Sequence, residues 1–329
     1  MWITSSLQSL KTPTFVALGN FDGVHQGHRK VIEPILTATG VGTPVLAGSE
    51  RASVELPGLQ NAHPTVVTFH PHPQEFFTGQ RRLLLTPIAE KAKYLESLGV
   101  EQLVLLPFDQ NLANLTPAQF VEHILIEQLQ AQRISVGQNF RFGRQRAGTT
   151  ADLQRLAADY GVPVDIAPLQ TDNGERISSS AIRQALSEGN LQRANRFLGR
   201  SYCLVGQVTP GQQLGRTLGF PTANLTLPSE KFLPRSGVYR VWVQAATGQL
   251  AEHPQAGVMN LGYRPTVDGS RLVVEVHLLD WSGDLYGQTL SVHLEQFLRP
   301  EQKFASLDEL QAQIRLDCNA ARTQLSATS

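Results

Sequence analysis

Two histidines, His25 and His28, stand three residues apart where a short apolar run gives way to a helical pattern. The run Thr14–Leu18 predicts a buried strand, because it is brief and begins with β-favouring residues. Apolar residues then recur at helical spacing up to Thr37, which places both imidazoles on one side of the first helical turn. A helix N-terminus attracts phosphate through its free N–H groups and partial positive charge. The spacing therefore predicts a phosphate site in which two imidazoles stabilise the charge that builds during phosphoryl transfer.

The predicted turn between strand and helix contains Gly19, Asn20, Asp22 and Gly23, residue types that tolerate positive φ. Gly27 leaves room for a nucleotide to lie against the backbone. Two histidines at this spacing are also compatible with ordinary surface residues or with half of a metal site. The zinc-protease pattern is excluded, since it requires a Glu and histidines four residues apart. The end of the first strand favours a phosphate site, because open parallel sheets bind ligands there.

Composition limits the class of protein. The 329 residues allow about two domains, and 41% hydrophobic with 17% charged residues is typical of globular proteins. Lysine plus arginine equals aspartate plus glutamate at 28 each, which argues against nucleic acid as a partner. The two cysteines, Cys203 and Cys318, lack disulfide or metal spacing, so we expect a reducing, cytoplasmic compartment. No signal peptide or membrane-spanning run is evident. A homo-oligomer is compatible with the sequence.

Strand and helix patterns alternate over residues 14–168, which predicts an α/β fold with a doubly wound parallel sheet. Thr86-Pro87 predicts an N-cap and first helical residue, and Thr116 with Gln119 predicts a capping box. The stretch 38–63, rich in Gly, Pro, Ala and Ser, predicts an inserted surface loop. The remaining predicted strands are 65–69, 102–106, 133–136 and 163–166.

Further ligand groups are expected where the later strands end. In the segment 68–73, His70 and His72 with nearby His63 suggest a metal, but no Cys or acidic partner lies at ligand spacing. We favour a rigid proline-rich turn that carries Phe69 as a stacking ring.

Two more segments contain groups that suit phosphates. Between residues 136 and 146, three arginines and two phenylalanines could clamp phosphates and stack on an aromatic ring. The same mixture occurs on RNA-binding surfaces, which the zero net charge disfavours. In the segment 176–183, serines at a predicted helix start and Arg183 form either a second anion site or an ordinary N-cap.

Beyond a short polar helix at 190–198, strands separated by turns predict a small β-barrel. We therefore divide the chain into residues 1–186, a linker helix 187–198, and a barrel domain 199–329. Ser306 with Glu309 predicts a capping box for a terminal helix. Its Leu307, Leu310, Ile314 and Ala321 have the spacing to cover the barrel. The predicted barrel strands are 202–208, 237–243, 256–260, 272–278 and 290–297.

The barrel sequence contains groups that could bind a nucleotide and activate a hydroxyl. The glycine-rich stretch 206–219 leads to Thr222 and Asn224, whose oxygens suit Mg²⁺ and phosphates. No P-loop motif occurs, and a hairpin loop is the default interpretation of the glycines. In the strand 272–278, alternation places Glu275 on the face opposite its valine neighbours. A mid-strand glutamate usually faces water, but Glu275 is a candidate general base if that face lines a ligand site.

In this order, the segments resemble the bacterial bifunctional riboflavin kinase/FAD synthetase (FMN adenylyltransferase) family over nearly the whole chain. The N-terminal resemblance rests on GNFDGVHQGH (19–28), TFHPHP (68–73), VGQNFRFGRQRAG (136–148) and ISSSAIR (177–183). The C-terminal resemblance rests on GRTLGFPTAN (215–224), SGVY (236–239), GVMNLGYRPT (257–266), VEVHLLD (274–280) and FLRPEQKF (297–304).

The resemblance implies an HxGH-type nucleotidyltransferase domain followed by a riboflavin kinase barrel, both using ATP, with Mg²⁺ as cofactor. The barrel would convert riboflavin to FMN with Glu275 as base. The first domain would transfer AMP from ATP to FMN, giving FAD and pyrophosphate, with His25 and His28 stabilising the transferring phosphate. Family positions that bind ATP or phosphate in the first domain match Gly19, Phe21, Gly27, Asn139, Ser178, Ser179 and Arg183, and Phe69 matches one beside the flavin. In the kinase the corresponding residues are Gly215, Arg216, Thr222 and Asn224, the last two also as metal ligands.

The sequence leaves two other functions as alternatives to this one. The first is a different HxGH nucleotidyltransferase fused to a non-catalytic flavin-binding barrel, and the sequences PTAN and VEVH together argue against it. The second is a flavin-binding regulator without turnover. Nothing favours that reading, because the candidate His, Thr, Asn and Glu groups are all present.

Overall fold

A computed structural model describes residues 1–38, 62–211, 214–266 and 269–323. The chain forms two compact units, Met1–Ser179 and Ser180–Ser329. The sequence-based division at residues 186 and 198 stays a prediction. Nearly all of the predicted insertion 38–63 lies outside the described residues.

The first unit is built on a parallel sheet. Its strands are β1 (Trp2–Thr4), β2 (Thr14–Leu18), β3 (His63–His70), β4 (Gln102–Pro107), β5 (Ala131–Gly137) and β6 (Val164–Ala167). They run parallel in the order β1-β4-β3-β2-β5-β6. Phe15 and Ala17 of β2 face one buried apolar cluster, whereas Val16 and Leu18 face another. The sheet is therefore covered on both faces, which confirms the doubly wound fold. Strand β1 was missed because three residues are too few to show an apolar period.

Helices connect these strands. They are α1 (Gln26–Thr37), α2 (Pro73–Thr78), α3 (Ile88–Ser97), α4 (Gln110–Asn114), α5 (Pro117–Gln119) and α6 (Thr150–Ala158), with a small hairpin of β7 (Thr171–Asp172) and β8 (Glu175–Arg176). The capping box at Thr116 is confirmed. The helix after it, Phe120–Gln128, is π-helical, and Leu129 N donates to the Ile124 carbonyl at 3.0 Å. The predicted cap at Thr86 is wrong: α3 has no side-chain cap, because the Thr86 hydroxyl instead accepts from Gly23 N at 2.9 Å.

The second unit is a closed antiparallel barrel, as predicted. Two helices precede it in the chain, α7 (Ser179–Glu188) and α8 (Leu191–Leu198). Its strands are β9 (Tyr202–Thr209), β10 (Ala223–Thr226), β11 (Gly237–Ala245), β12 (Gln255–Thr266), β13 (Gly269–Leu278) and β14 (Thr289–Arg299). They close in the order β10-β13-β12-β11-β14-β9. The four-residue β10 was missed, because it directly follows a Gly/Pro-rich stretch that predicts a loop. Helix α8 joins the barrel through Asn195, which donates to the Leu294 carbonyl at 2.9 Å.

The helices α9 (Leu214–Thr217), α10 (Gln249–Glu252) and α11 (Leu307–Thr323) complete this unit. Helix α11 covers the outer barrel wall, where Cys318 and Ala321 are buried against Val258. Leu307 does not contribute and is 58% exposed, because residues 305–309 all lie beyond the apolar cluster. Only half of the predicted capping box forms. Ser306 Oγ accepts from Glu309 N at 3.2 Å, but the Glu309 carboxylate accepts from Ala305 N instead of Ser306 N.

Candidate active sites

The order of strands in the first unit places a crevice beside β2. Strands β3 and β4 lie on one side of β2, and β5 and β6 lie on the other. Ligands of open α/β sheets bind at such a reversal, beyond the carboxyl ends of the strands. The segments at this position are the turn 19–25 after β2 and the segment 138–148 after β5.

The turn after β2 has an uncommon backbone conformation. Phe21 and Val24 have φ values of +46° and +39°, and Gly23 has +87°. Non-glycine residues pay about 1–3 kcal/mol to occupy this region. Phe21 and Val24 have no exposed surface and pack in the cluster beneath α1. Burial of these two side chains therefore offsets the backbone strain.

A buried lysine of α3 donates a hydrogen bond to the backbone of the same turn. Lys91 of α3 is only 6% exposed, and its Nζ donates to the Asn20 carbonyl at 2.8 Å. Thr68 Oγ1 donates to that carbonyl at 3.0 Å. Burial lowers the pKa of Lys91 to about 8, against the opposing attraction of the Asp22 carboxylate. Lys91 was not predicted, although a lysine within an apolar helical stripe is a signal that could have identified it.

Thr86 and Ser179 hold the other side of the turn. Thr86 Oγ1 accepts from Gly23 N, and Thr86 N donates to Asp22 Oδ1 at 3.2 Å. Ser179 Oγ donates to the Asp22 carbonyl at 2.8 Å, a contact within the first unit. The half-buried Ser178 lies immediately before it. The structure thus brings two of the predicted serines to the histidine turn.

The two histidines stack on each other at the start of α1. Their ring centroids are 3.6 Å apart with an interplanar angle of 15°. His25 is the N-cap, and its Nδ1 accepts from His28 N at 3.2 Å. A main-chain nitrogen can only donate, so Nδ1 of His25 is unprotonated and the proton of the neutral ring is on Nε2. That Nε2–H is a hydrogen-bond donor at a helix N-terminus, as a phosphate site requires.

The glycines of this site lie close to aromatic rings. A Cβ on Gly27 would lie 3.2 Å from the His25 ring, and one on Gly19 would lie 3.2 Å from the Phe21 ring. The Phe21 ring is in turn 5.2 Å from the His28 ring. Small residues at these positions therefore let the imidazole and phenyl rings adopt their observed packing.

The segment after β5 is polar and exposed at its tip. Asn139 is exposed, as are Arg141, Arg144 and Arg146. Phe142 is 4% exposed and packs against Phe120 with a centroid distance of 5.5 Å. The expectation that both phenylalanines stack on a ligand is therefore wrong for Phe142, because its ring belongs to the core.

Phe69 belongs to an aromatic cluster at the end of β3. Its ring meets the Phe108 ring edge-on at 5.7 Å, and Phe76 and Phe77 also contact Phe108. Phe77 is 70% exposed, so an aromatic surface is open to a ligand.

The histidines of β3 and the following turn do not converge on a metal. His72 instead caps α2, and its Nδ1 accepts from Gln74 N at 3.1 Å. His63 is at the opposite end of β3 from His70 and pairs with Glu101 at 2.7 Å. In the part of the chain that the structure describes, no group of three or more His, Cys, Asp or Glu side chains could hold a metal ion.

Three barrel strands bring polar side chains into one row on the outer barrel face. Asn224 of β10 lies opposite Glu275 of β13, and Glu275 lies opposite Asn260 of β12. The neighbours Val274 and Val276 are buried, so the predicted alternation is confirmed. Cβ atoms of directly opposed residues are about 4.5–5.5 Å apart, which brings each amide within reach of the Glu275 carboxylate. Asn260 was not predicted, because the sequence does not show which strand lies beside Glu275.

The predicted phosphate loop of the barrel is compact. Phe220 N donates to the Gly215 carbonyl at 2.7 Å. A Cβ on Gly215 would overlap the Phe220 carbonyl oxygen and lie 3.3 Å from the Thr222 side chain, so only glycine fits there. The Arg216 side chain lies outside the described part of the structure. Arg183, predicted to bind phosphate in the first domain, lies in the second unit with its guanidinium carbon 5.7 Å from the centroid of the Phe232 ring.

Both halves of the chain match families of known proteins. Residues 198–325 match the family model for riboflavin kinase, and residues 7–46 and 51–181 match the one for FAD synthetase. A bifunctional riboflavin kinase/FMN adenylyltransferase of Escherichia coli K12 is 40% identical over 93% of this chain and 91% of its own length. The protein of the same name from Bacillus subtilis is 34% identical over 92% and 89%. A crystal structure described as a macrolide-efflux protein from Streptococcus pneumoniae is 30% identical, with a TM-score of 0.81 over 97% of this chain and 98% of that one. Among the described residues, no helix is long and apolar enough to cross a membrane.

Proposed function

The chain belongs to the bifunctional riboflavin kinase/FMN adenylyltransferase family, and we propose that separate groups in its two units carry the two reactions. It phosphorylates riboflavin to FMN and then transfers AMP from ATP to FMN, giving FAD and pyrophosphate. The observation that carries the proposal is that each candidate set of reacting groups is assembled within one unit. We place both reactions in the cytoplasm, where their co-substrate ATP is made.

Adenylyl transfer is assigned to the turn after β2. A phosphate oxygen of FMN attacks the α-phosphorus of ATP, and the bond from that phosphorus to the oxygen bridging the β-phosphate breaks. His25 and His28 donate to the α-phosphate oxygens as negative charge builds. The N–H groups at the start of α1 add to this field. The contacts of Lys91 and Thr86 hold the turn in place before substrate arrives, so little reorganisation is needed during reaction.

The other residues predicted for adenylyl transfer have supporting roles. Ser178, Ser179 and Asn139 bind the remaining phosphate or nucleotide oxygens, and the sequence-based assignment of Arg183, which lies in the second unit, stays a prediction. Phe69 lies beside the flavin ring, a role supported by the exposed aromatic surface that it shares with Phe77 and Phe108.

Phosphorylation is assigned to the outer face of the barrel. Glu275 accepts the proton of the ribityl 5′-hydroxyl while that oxygen attacks the γ-phosphorus of ATP, and ADP leaves. Thr222, Asn224 and Gly215 bind the phosphates of ATP. Asn260 lies on the other side of Glu275, where its amide can orient the carboxylate or the hydroxyl.

The residues around Glu275 fit a bound Mg²⁺. Thr222 offers a hydroxyl and Asn224 an amide oxygen, both of them the hard oxygen ligands that Mg²⁺ prefers. Mg²⁺ usually takes one or two protein ligands and completes its shell with water and substrate phosphates, so a dense acidic cluster is not required. When bound, the ion neutralises charge on the phosphates of ATP.

Two single substitutions test the division of labour. We expect His28→Ala to lower FMN adenylylation by about 10²–10³-fold, because it removes one transition-state donor. Riboflavin phosphorylation by this variant should be unchanged. Glu275→Gln should lower phosphorylation by about 10²–10⁴-fold and leave adenylylation intact, because it removes the general base. Chromatography of products from riboflavin or FMN with ATP and Mg²⁺ measures both steps.

The exposed residues His123 and Glu252 provide matched controls, as His123→Ala and Glu252→Gln. Both controls should keep both activities. Equal loss of the two steps in either test variant would contradict the assignment.

A further inference from the structure

A histidine beside the proposed base is bonded to the phosphate loop. His277 is two residues beyond Glu275 on β13, so both side chains emerge on the same outer face. Its Nδ1 lies 2.8 Å from the carbonyl oxygen of Pro221. A carbonyl oxygen can only accept, so Nδ1 carries the proton and donates.

The accepting carbonyl is part of the peptide that joins Pro221 to Thr222. Among the described residues, the register of β10 with β13 consists of Ala223 opposite Val276 and Asn224 opposite Glu275. The next position of that register would set Thr222 against His277. Strand pairing has ended there, and the imidazole supplies the hydrogen bond that the sheet no longer makes. The orientation of the peptide plane before Thr222 therefore depends on His277.

Two further contacts hold the same loop. The Phe220 ring meets the His277 ring edge-on, with centroids 5.5 Å apart at 85°. Gln311 of α11 donates from Nε2 to the Leu218 carbonyl at 3.0 Å. These contacts fix residues 218–220, and the hydrogen bond from His277 fixes the peptide that leads from Pro221 into β10.

We propose that His277 is a positioning residue of the kinase site, which orients Thr222 and Asn224 toward the phosphates of ATP through its bond to Pro221. This inference rests on the proposed role of those two residues. Because the bond holds a binding loop and not the reacting hydroxyl, its loss should raise KM for ATP more than it lowers kcat.

Three substitutions separate the Nδ1 donor from the bulk of the ring. Asparagine places its amide nitrogen near the position of Nδ1, glutamine places its amide near that of Nε2, and alanine has neither. We expect His277→Ala and His277→Gln to raise KM for ATP in riboflavin phosphorylation about five- to tenfold, the worth of about one hydrogen bond. His277→Asn should stay within about twofold of the unsubstituted enzyme. The full-length protein is used throughout, with His253→Ala as control for loss of an exposed barrel histidine.

The adenylylation step of the same molecules serves as an internal standard and should be equal in all four variants. If His277→Asn and His277→Gln have the same KM for ATP, or if His277→Ala has the KM of the unsubstituted enzyme, the inference is overturned. If the alanine variant unfolds, the comparison of asparagine with glutamine decides alone. Glu275→Gln is assayed in parallel: full kinase activity in that variant would overturn the proposed base, whereas the comparison at residue 277 would still be readable.

Discussion

Lys91 makes the stability of the first unit depend on pH in a specific way. It is buried, and its pKa falls from 10.5 to about 8, because burial disfavours the ammonium more strongly than Asp22 favours it. The difference of about 2.5 pH units corresponds to about 3 kcal/mol at about 1.36 kcal/mol per unit. The folded-state pKa is the lower one, so the unfolded chain binds more protons between pH 8 and pH 10.5. Below pH 8 the charged Lys91 lowers the free energy of unfolding by the full amount. The free energy of unfolding then rises as the pH increases from 8 to 10.5.

We expect Lys91→Met to remove this dependence. The methionine keeps most of the apolar stem but loses the charge and the hydrogen bond to Asn20 at every pH. The free energy of unfolding of the unsubstituted protein should therefore rise relative to that of the variant by about 2.5 kcal/mol between pH 7 and pH 10. Groups common to both proteins cancel in this difference.

Urea unfolding at several pH values measures the effect. Trp2 is the only tryptophan of the first unit, so a Trp242→Phe, Trp281→Phe background lets its fluorescence report that unit alone. Lys93→Met is the matched control, since Lys93 is exposed on the same helix. A constant difference between the Lys91→Met and unsubstituted proteins across this range would refute the reasoning.

Other positions give further tests. Thr86→Val keeps the side-chain shape but removes the acceptor of Gly23 N, so adenylylation should slow about tenfold while phosphorylation is unchanged, as product chromatography would show. Gly148→Ala would place a Cβ 2.8 Å from the Phe142 ring, and this overpacking should lower the free energy of urea unfolding of the first unit by about 1–3 kcal/mol. Burial raises the pKa of the Cys318 thiol to about 11, so about one thiol in 10³ is ionised at pH 8. Labelling of Cys318 by a thiol reagent should therefore be slow in the folded protein and fast in urea; equal rates in both would contradict the burial.

Local patterns in the sequence were sufficient for much of the fold. The bounds of β2 agree with the prediction residue for residue, and α1 begins one residue after the predicted His25. The valines flanking Glu275 are buried as the alternation requires. Side-chain periods of 2.0 and 3.6 residues arise from the backbone itself, so the sequence alone reveals them. His25 lies just outside α1 as its N-cap and His28 lies in the first turn, so the local backbone also sets the relation of the two rings.

Contacts between distant segments were decided only by the tertiary structure. Thr86 has the local features of a helix cap, but it bonds to Gly23, 63 residues earlier. Lys91 reaches Asn20 because the order of strands sets α3 beneath the turn after β2, and Asn260 lies beside Glu275 because the barrel closes with β12 against β13. The residue types at these positions are compatible with many partners. The spatial order of strands in the sheet and in the barrel selects one partner, and no local period in the chain encodes that order.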